Sequence, residues 1–212
     1  MQSSTGRPPA TRTGRPRSTA ADAAILAATR EALVELGWSK LTLGDVAGRA
    51  GVAKTTLYRR WAGKNELVVD AIAELFDELE LPDRGSLAAD VEGVVLQLAA
   101  LLSRPEARCG LMAAIAESTL DEALRERIRA SIVQRQKRLV HTGRVRAQRR
   151  GELPPDPDPA EASRTVELIF DMVAGAVLHR TLVSGRPADE EWVHDLTRVL
   201  LTGLTGLTAP GP

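Results

Sequence analysis

The side chains best suited to chemistry lie in residues 54–60, where cations, hydroxyls and a phenol occur together with no acidic residue among them. They are Lys54, Thr55, Thr56, Tyr58, Arg59 and Arg60. Such groups can hydrogen-bond to base edges in a DNA major groove and neutralise phosphates. Leu57 and Trp61 are four residues apart, so both would lie on the opposite face of a helix. The pattern predicts a helix with one face toward a core and the other toward DNA.

A short amphipathic segment immediately before this helix would position it. Apolar side chains recur there at i, i+3, i+4 and i+7, in Leu43, Val46, Ala47 and Ala50. Thr42 and Asp45 have the spacing of a capping box, which begins a helix. Gly51 can adopt the left-handed conformation that ends one. Two short helices joined by such a turn form a helix-turn-helix.

Residues 25–67, about a fifth of the chain, resemble the DNA-binding domain of the tetracycline-repressor (TetR) family of bacterial transcription regulators. The matching stretches are Ile25-Leu26-Ala27-Ala28, Leu36-Gly37-Trp38, Thr42-Leu43-Gly44-Asp45-Val46-Ala47, Ala50-Gly51-Val52, Thr56-Leu57-Tyr58-Arg59 and Lys64-Asn65-Glu66-Leu67. The chain departs from the family at three positions. Ala53 replaces the usual Ser cap of the recognition helix, Gly63 replaces the Ser or Asn cap of the next helix, and Thr55 replaces a small residue, usually Gly.

The expected DNA contacts combine the polar helix face with residues at neighbouring helix ends. They are Thr42, Lys54, Thr55, Thr56, Tyr58, Arg59, Arg60 and Lys64. Lys64 would begin a further helix, whose positive dipole end adds attraction for phosphate. Residues 1–18 form an expected disordered basic arm. There Arg15 and Arg17 resemble side chains that enter an A·T-rich minor groove, and a flexible tail without a role is an equal alternative.

Net charge is zero but unevenly distributed. Residues 1–64 hold 11 lysines and arginines against 4 acidic residues, and the remainder hold 17 against 24. A basic head on an acidic body is expected of a protein that contacts a polyanion at one end only. The single cysteine, Cys109, excludes an internal disulfide. With no long apolar run and no signal peptide, we expect a cytoplasmic protein without membrane association.

The expected fold class is all-α, because helical periodicity continues to the C-terminus and no strand pattern is visible. It comprises an N-terminal three-helix helix-turn-helix DNA-binding domain plus a larger C-terminal helical ligand-binding and dimerisation domain, about nine helices. The expected domain bounds are 1–18 for the arm, 19–64 for the helix-turn-helix and 65–212 for the sensor. Later helices are predicted near 86–103, 105–118, 121–150, 160–184 and 189–205, and the proline-rich residues 154–159 would form a rigid loop.

The last two helices have more apolar width than one buried face needs, which indicates a second partner. In the TetR family, the equivalent helices of two subunits pair as a four-helix bundle. The residues expected at such a dimer interface are Ile169, Val173, Ala176, Val183, Trp192, Leu196, Val199 and Leu200. The alternative is that both helices lie deep within a monomer.

Residues 125–150 contain ten lysines and arginines and one acid, Glu126. A second nucleic-acid or anion site is one interpretation, and the exposed face of a long helix is the favoured alternative. His141, His179 and His194 are far apart and lack partners at metal-ligand spacing, so we expect no metal. No phosphate loop, nucleophile elbow or carboxylate pair predicts catalysis or a cofactor.

These patterns predict a transcriptional regulator rather than an enzyme. The expected function is a ligand-responsive repressor that binds a double-stranded palindromic operator as a homodimer and is released by a small molecule. The alternative is a small helical enzyme or adaptor with a coincidental helix-turn-helix. The sequence does not identify the effector, its pocket or the operator.

Overall fold

A computed structural model describes residues 19–156 and 158–207 of the protein, and every regular element in these ranges is helical. The α-helices are α1 (Thr19–Lys40), α2 (Leu43–Ala50), α3 (Lys54–Tyr58), α4 (Lys64–Phe76), α5 (Leu87–Ser103), α6 (Pro105–Ser118), α7 (Glu122–Ile128), α8 (Gln134–Arg149), α9 (Pro159–Leu178) and α10 (Glu190–Leu207). A π-helical turn, Arg129–Val133, joins α7 to α8, and another, His179–Val183, extends α9. With α7 and α8 taken as one continuous helix, the described ranges hold nine helices, which confirms the all-α prediction.

Local signals set the ends of the first three helices. Gly37, with φ of 72°, interrupts α1, so its regular part ends before this residue. The Thr42–Asp45 capping box begins α2, and left-handed Gly51 ends it. Ala53 supplies no side-chain cap to α3, which spans only five residues before a further turn brings Trp61 N to 2.9 Å from Leu57 O.

Helix α4 ends at Phe76. The residues that follow are largely acidic, including Asp77 and Glu78, and negative charge is unfavourable at the negative end of a helix dipole. The chain turns here, which lets Leu79 enter the core.

The head and the body share one hydrophobic core. Helix α1 packs against α2, α4 and α6, and α4 also packs against α6 and α7. Gly110 allows α6 to approach closely, since a Cβ there would lie 2.2 Å from Cδ1 of Ile72 and 2.9 Å from Cδ2 of Leu33. Helices α1 and α4 are therefore held against the body as well as within the head.

Acidic side chains, two of them only three residues away and the others further along the chain, neutralise most of the basic stretch 125–150. The pairs are Arg125–Glu122, Arg127–Asp70, Arg129–Glu126, Arg135–Asp77, Lys137–Glu167, Arg144–Asp156, Arg146–Asp90 and Arg150–Asp83. Because these cations are already paired, the structure favours the interpretation of this stretch as a helix face over a second nucleic-acid surface.

Candidate nucleic-acid interface and effector cavity

The second helix of the helix-turn-helix presents its polar face outward, as predicted. Leu57 and Trp61 are buried behind it. Lys54, Thr55 and Arg59 are exposed, Thr56 is half-buried, and Tyr58 is 60% exposed. The arrangement places hydroxyl, phenol and cationic groups on one surface of the described chain. Such a surface can donate hydrogen bonds to bases and phosphates.

Thr42 lies at the exposed N-terminus of α2, where unpaired backbone N–H groups can bind phosphate. Its hydroxyl accepts a hydrogen bond from Asp45 N at 3.2 Å and donates one to Oδ2 of Asp45 at 2.6 Å. The hydroxyl and backbone N–H of Thr42 lower the pKa of the Asp45 carboxyl. The Asp45 carboxyl therefore stays ionised, and the capping box that it forms with Thr42 holds α2 in place next to α3.

Two of the cations predicted to bind phosphate already bind other groups of the protein. Arg60 forms an ion pair with Asp22 of α1. Nζ of Lys64 donates to Trp38 O at 2.9 Å and lies 5.1 Å from the centre of the Trp38 ring. These contacts brace the head, and either side chain would have to leave them to reach a phosphate. Arg15 and Arg17 lie outside the described residues.

A polar chain connects the recognition helix to the body. Nε1 of Trp61 donates to Oδ2 of Asp70 at 2.9 Å, and NH2 of Arg127 donates to the same oxygen at 2.9 Å. Asn65 Nδ2 also donates to Oδ2 of Asp121 at 3.3 Å, at the start of α7. Sequence reasoning missed this connection, since its partners in the body are more than fifty positions from α4. A movement of α7 would reach Trp61, just after α3, through Asp70 of α4.

The body contains a cavity of about 430 Å³ between the end of α4 and helices α5, α8, α9 and α10. Its walls are largely leucine, valine and isoleucine, with Ile128, Ile132 and Val133 contributed at and beside the first π-helical turn. Pockets of this size hold small organic ligands. Short π-helical segments are frequent at functional sites.

The two buried charged groups at the cavity, Asp90 and Arg144, are paired. Asp90 accepts hydrogen bonds from Arg84 N at 2.6 Å and from NH1 of Arg150 at 3.0 Å. Burial opposes its ionisation, but these donors hold the pKa of Asp90 below its usual value. Arg144 binds Asp156 through Nε at 2.9 Å, and this bond lowers the pKa of Asp156.

The predicted dimer residues fall into three groups. Ile169 and Leu200 are only 8% and 1% exposed within one subunit, because α9 and α10 use them to pack against the body's own helices, and they offer little surface to a second subunit. Val173, Ala176, Trp192 and Leu196 are half-buried, and Val173 lines the cavity. Val183 and Val199 are exposed, at 69% and 62%.

Two exposed apolar residues of α9, Leu168 and Met172, were missed by the sequence analysis. They are four residues apart and therefore share a helix face. Val199 on α10 is exposed as well, and we call these three exposed apolar side chains of the last two helices, Leu168, Met172 and Val199, the C-terminal face. Within the described residues, no helix is long and apolar enough to cross a bilayer.

The sequence matches two family models. Residues 25–78 match the bacterial regulatory proteins of the tetR family, and residues 81–200 match the tetracyclin repressor-like C-terminal domain. The chain is 30% identical over 198 residues to the uncharacterized HTH-type transcriptional regulator YdeS of Bacillus subtilis, covering 92% of this chain and 96% of YdeS. It is 30% identical over 176 residues to the DNA-binding transcriptional repressor TetR of Mycobacteroides abscessus, covering 81% of this chain and 86% of that protein.

Among solved structures, the fold is similar to the crystal structure of the TetR family transcription regulator SCO0332. The two share a TM-score of 0.69 and 30% identity, over 90% of this chain and 99% of that one. Both family models, the relatives and the fold point to the same family. The chain therefore belongs to the TetR family and is a DNA-binding transcriptional regulator.

Proposed function

We propose that this protein is an effector-responsive repressor that binds a palindromic operator in the cytoplasm as a homodimer. The observation that carries the proposal is the polar face of α3, whose buried side is tied through Trp61 and Asp70 to Arg127 of α7, the residue before Ile128 in the wall of an apolar cavity. A ligand in the cavity can thus influence the helix that reads DNA. The relative from Mycobacteroides abscessus is named a repressor, which supports repression over activation.

A dimer would place two recognition helices on one operator. Successive major grooves on one face of B-DNA are about 34–36 Å apart, so two heads at that spacing bind two half-sites. An effector that binds better to a dimer with a different head spacing would shift the population away from the DNA-binding form.

The proposal is tested by a gel shift with DNA from upstream of the protein's own gene, at two salt concentrations. We expect one discrete complex containing two subunits, weaker at the higher salt and absent with DNA of shuffled sequence. Equal binding to both DNAs would contradict the proposal.

Thr56→Ala and Tyr58→Ala are each expected to weaken operator binding without unfolding the head. Each loses contacts to a base edge or phosphate, on the order of 1–3 kcal/mol where the contact specifies sequence. Fluorescence anisotropy with labelled operator measures the change, and Thr142→Ala, an exposed threonine of α8, is the matched control. Unchanged operator affinity in both variants, with normal circular dichroism, would remove this face from the interface.

Arg59→Ala is expected to lower the slope of log affinity against log salt by about 1, because exposed Arg59 is free to pair with a phosphate. Arg60→Ala should change this slope less and lower the stability of the head, since Arg60 is paired with Asp22. Anisotropy titrations across a salt series measure both slopes. A larger loss of slope in Arg60→Ala than in Arg59→Ala would show that Arg60 leaves Asp22 to bind DNA.

Asp70→Ala is expected to lower operator affinity by roughly three- to tenfold, because the indole N–H of Trp61 loses its acceptor and α3 is less firmly oriented on α4. Asp77→Ala is the control, since Asp77 lies just beyond the end of α4 and is an acid that pairs with Arg135. Equal operator affinities for the two variants would show that the Trp61–Asp70 bond does not position the recognition helix.

A further inference from the structure

The charges that line the cavity leave no unpaired, buried counter-ion for a charged ligand. Three charged residues line it: Asp90, Arg144 and Asp171. Asp90 is buried and bonded to Arg150, and Arg144 is buried and bonded to Asp156. Asp171 is exposed to solvent on α9, so water screens its attraction for a cation, and its negative charge repels anions. Burying a ligand charge without a partner is strongly unfavourable, so the cavity favours an uncharged molecule.

The cavity wall also holds one neutral hydrogen-bonding side chain, Gln136 in the first turn of α8. Its Nε2 donates to Phe76 O, the carbonyl of the last residue of α4, at 3.0 Å. A carbonyl can only accept, so this bond fixes which end of the amide is nitrogen. In the part of the chain that the structure describes, no protein donor binds the other end, Oε1.

We propose that the cavity binds an uncharged, largely apolar molecule that carries a hydroxyl or similar donor, and that this donor binds Oε1 of Gln136. The inference rests on the proposed function, because it assigns the chemical class of the effector. The same amide donates to the last carbonyl of α4, so one side chain joins the ligand to the helix that carries the head. The aliphatic walls bind the remainder of the ligand through apolar contact.

Three probes of equal chain length test the ligand class by isothermal titration calorimetry. Decanol has a donor, the isomeric ether methoxynonane has none, and decanoate carries a charge; each flexible chain can follow the contour of the cavity. We expect decanol to bind roughly three- to tenfold more tightly than the ether, which corresponds to one neutral hydrogen bond. Decanoate should bind more weakly than both, because its charge would be buried without a partner.

Gln136→Met keeps the side-chain length and removes the amide, so decanol and the ether should then bind equally. Gln134→Met, at an exposed position on the same helix, should keep the preference for decanol. The comparison of decanol with the ether on the unmodified protein stands even if Gln136→Met fails to fold. Any of three results with the unmodified protein would overturn the inference. Decanoate could bind as tightly as decanol, the ether could bind as tightly as decanol, or decanol could fail to bind.

The operator gel shift separates this inference from the proposed function. Selective decanol binding by a protein that forms no operator complex would leave the ligand site standing and remove the repressor proposal. A discrete operator complex with no decanol binding would leave the repressor proposal standing and remove this ligand class.

Discussion

Val199→Glu and Met172→Glu are each expected to yield a monomer that binds the operator at least roughly a hundredfold more weakly. Both positions lie on the C-terminal face, where Val199 is 62% and Met172 is 40% exposed in one subunit. If this face pairs with its copy in a second subunit, the new carboxylate is buried without a partner, at a cost of several kcal/mol. Analytical ultracentrifugation measures the assembly, and anisotropy measures operator affinity.

The large effect on DNA binding follows from losing one half-site. A single head contacts only a few base pairs, and each base pair contributes about 1–3 kcal/mol to specificity. Neither substitution alters the helix-turn-helix. Val173 and Leu196 are less informative positions for the same test, because Val173 lines the cavity and Leu196 packs against the subunit's own core.

Leu120→Glu is the matched control for these two substitutions. Leu120 is 96% exposed, immediately after α6 and outside the C-terminal face, so a charge there should change neither assembly nor operator affinity. An unmodified protein that is monomeric at micromolar concentration and still binds one palindromic site tightly would contradict the proposed dimer.

Gly110→Ala is expected to lower the free energy of unfolding by about 1–3 kcal/mol, because the added methyl group overpacks the junction of α6 with α4 and α1. Its Cβ would lie 2.2 Å from Cδ1 and 2.7 Å from Cγ1 of Ile72, and 2.9 Å from Cδ2 of Leu33. Ile72 and Leu33 are fully buried, so neither can move aside into solvent. The gain of about 1 kcal/mol in helix propensity offsets only part of this cost.

Urea unfolding measures the change, and Gly48→Ala is the control. Gly48 lies within α2, and a Cβ there meets no atom within 4 Å, so this variant should be more stable by roughly 0.5–1 kcal/mol. A Gly110→Ala protein as stable as the unmodified one would show that α6 can move away from α4 without cost. The close approach would then not hold the head to the body.

The helix-turn-helix could be predicted from sequence because its signals are local. The capping box joins residues three apart, Gly51 ends α2 through its own backbone conformation, and Leu57 and Trp61 share a face at a spacing of four. These contacts form within a few turns of one helix, so neighbouring residue types are enough to specify them. The all-α class and the basic head follow from periodicity and composition in the same way.

The roles of several residues depended instead on partners far along the chain. Arg60 has the sequence features of a phosphate contact, yet in the folded protein it forms an ion pair with Asp22. Ile169 and Val199 are both apolar residues of wide helical faces, yet one is buried in the subunit and the other is exposed. The cations of residues 125–150 could be recognised as neutralised only after folding placed acids beside them.

The cavity and its connection to the head show the same limit. Periodicity indicates that a side chain is apolar and faces inward, but the same pattern serves a packed core, a ligand cavity and a subunit interface. The Trp61–Asp70–Arg127 contacts and the Gln136–Phe76 bond join residues that are distant in sequence. Such contacts depend on how the helices pack in space, because hydrogen bonds between distant residues require side chains that only the assembled fold brings within about 3 Å of each other.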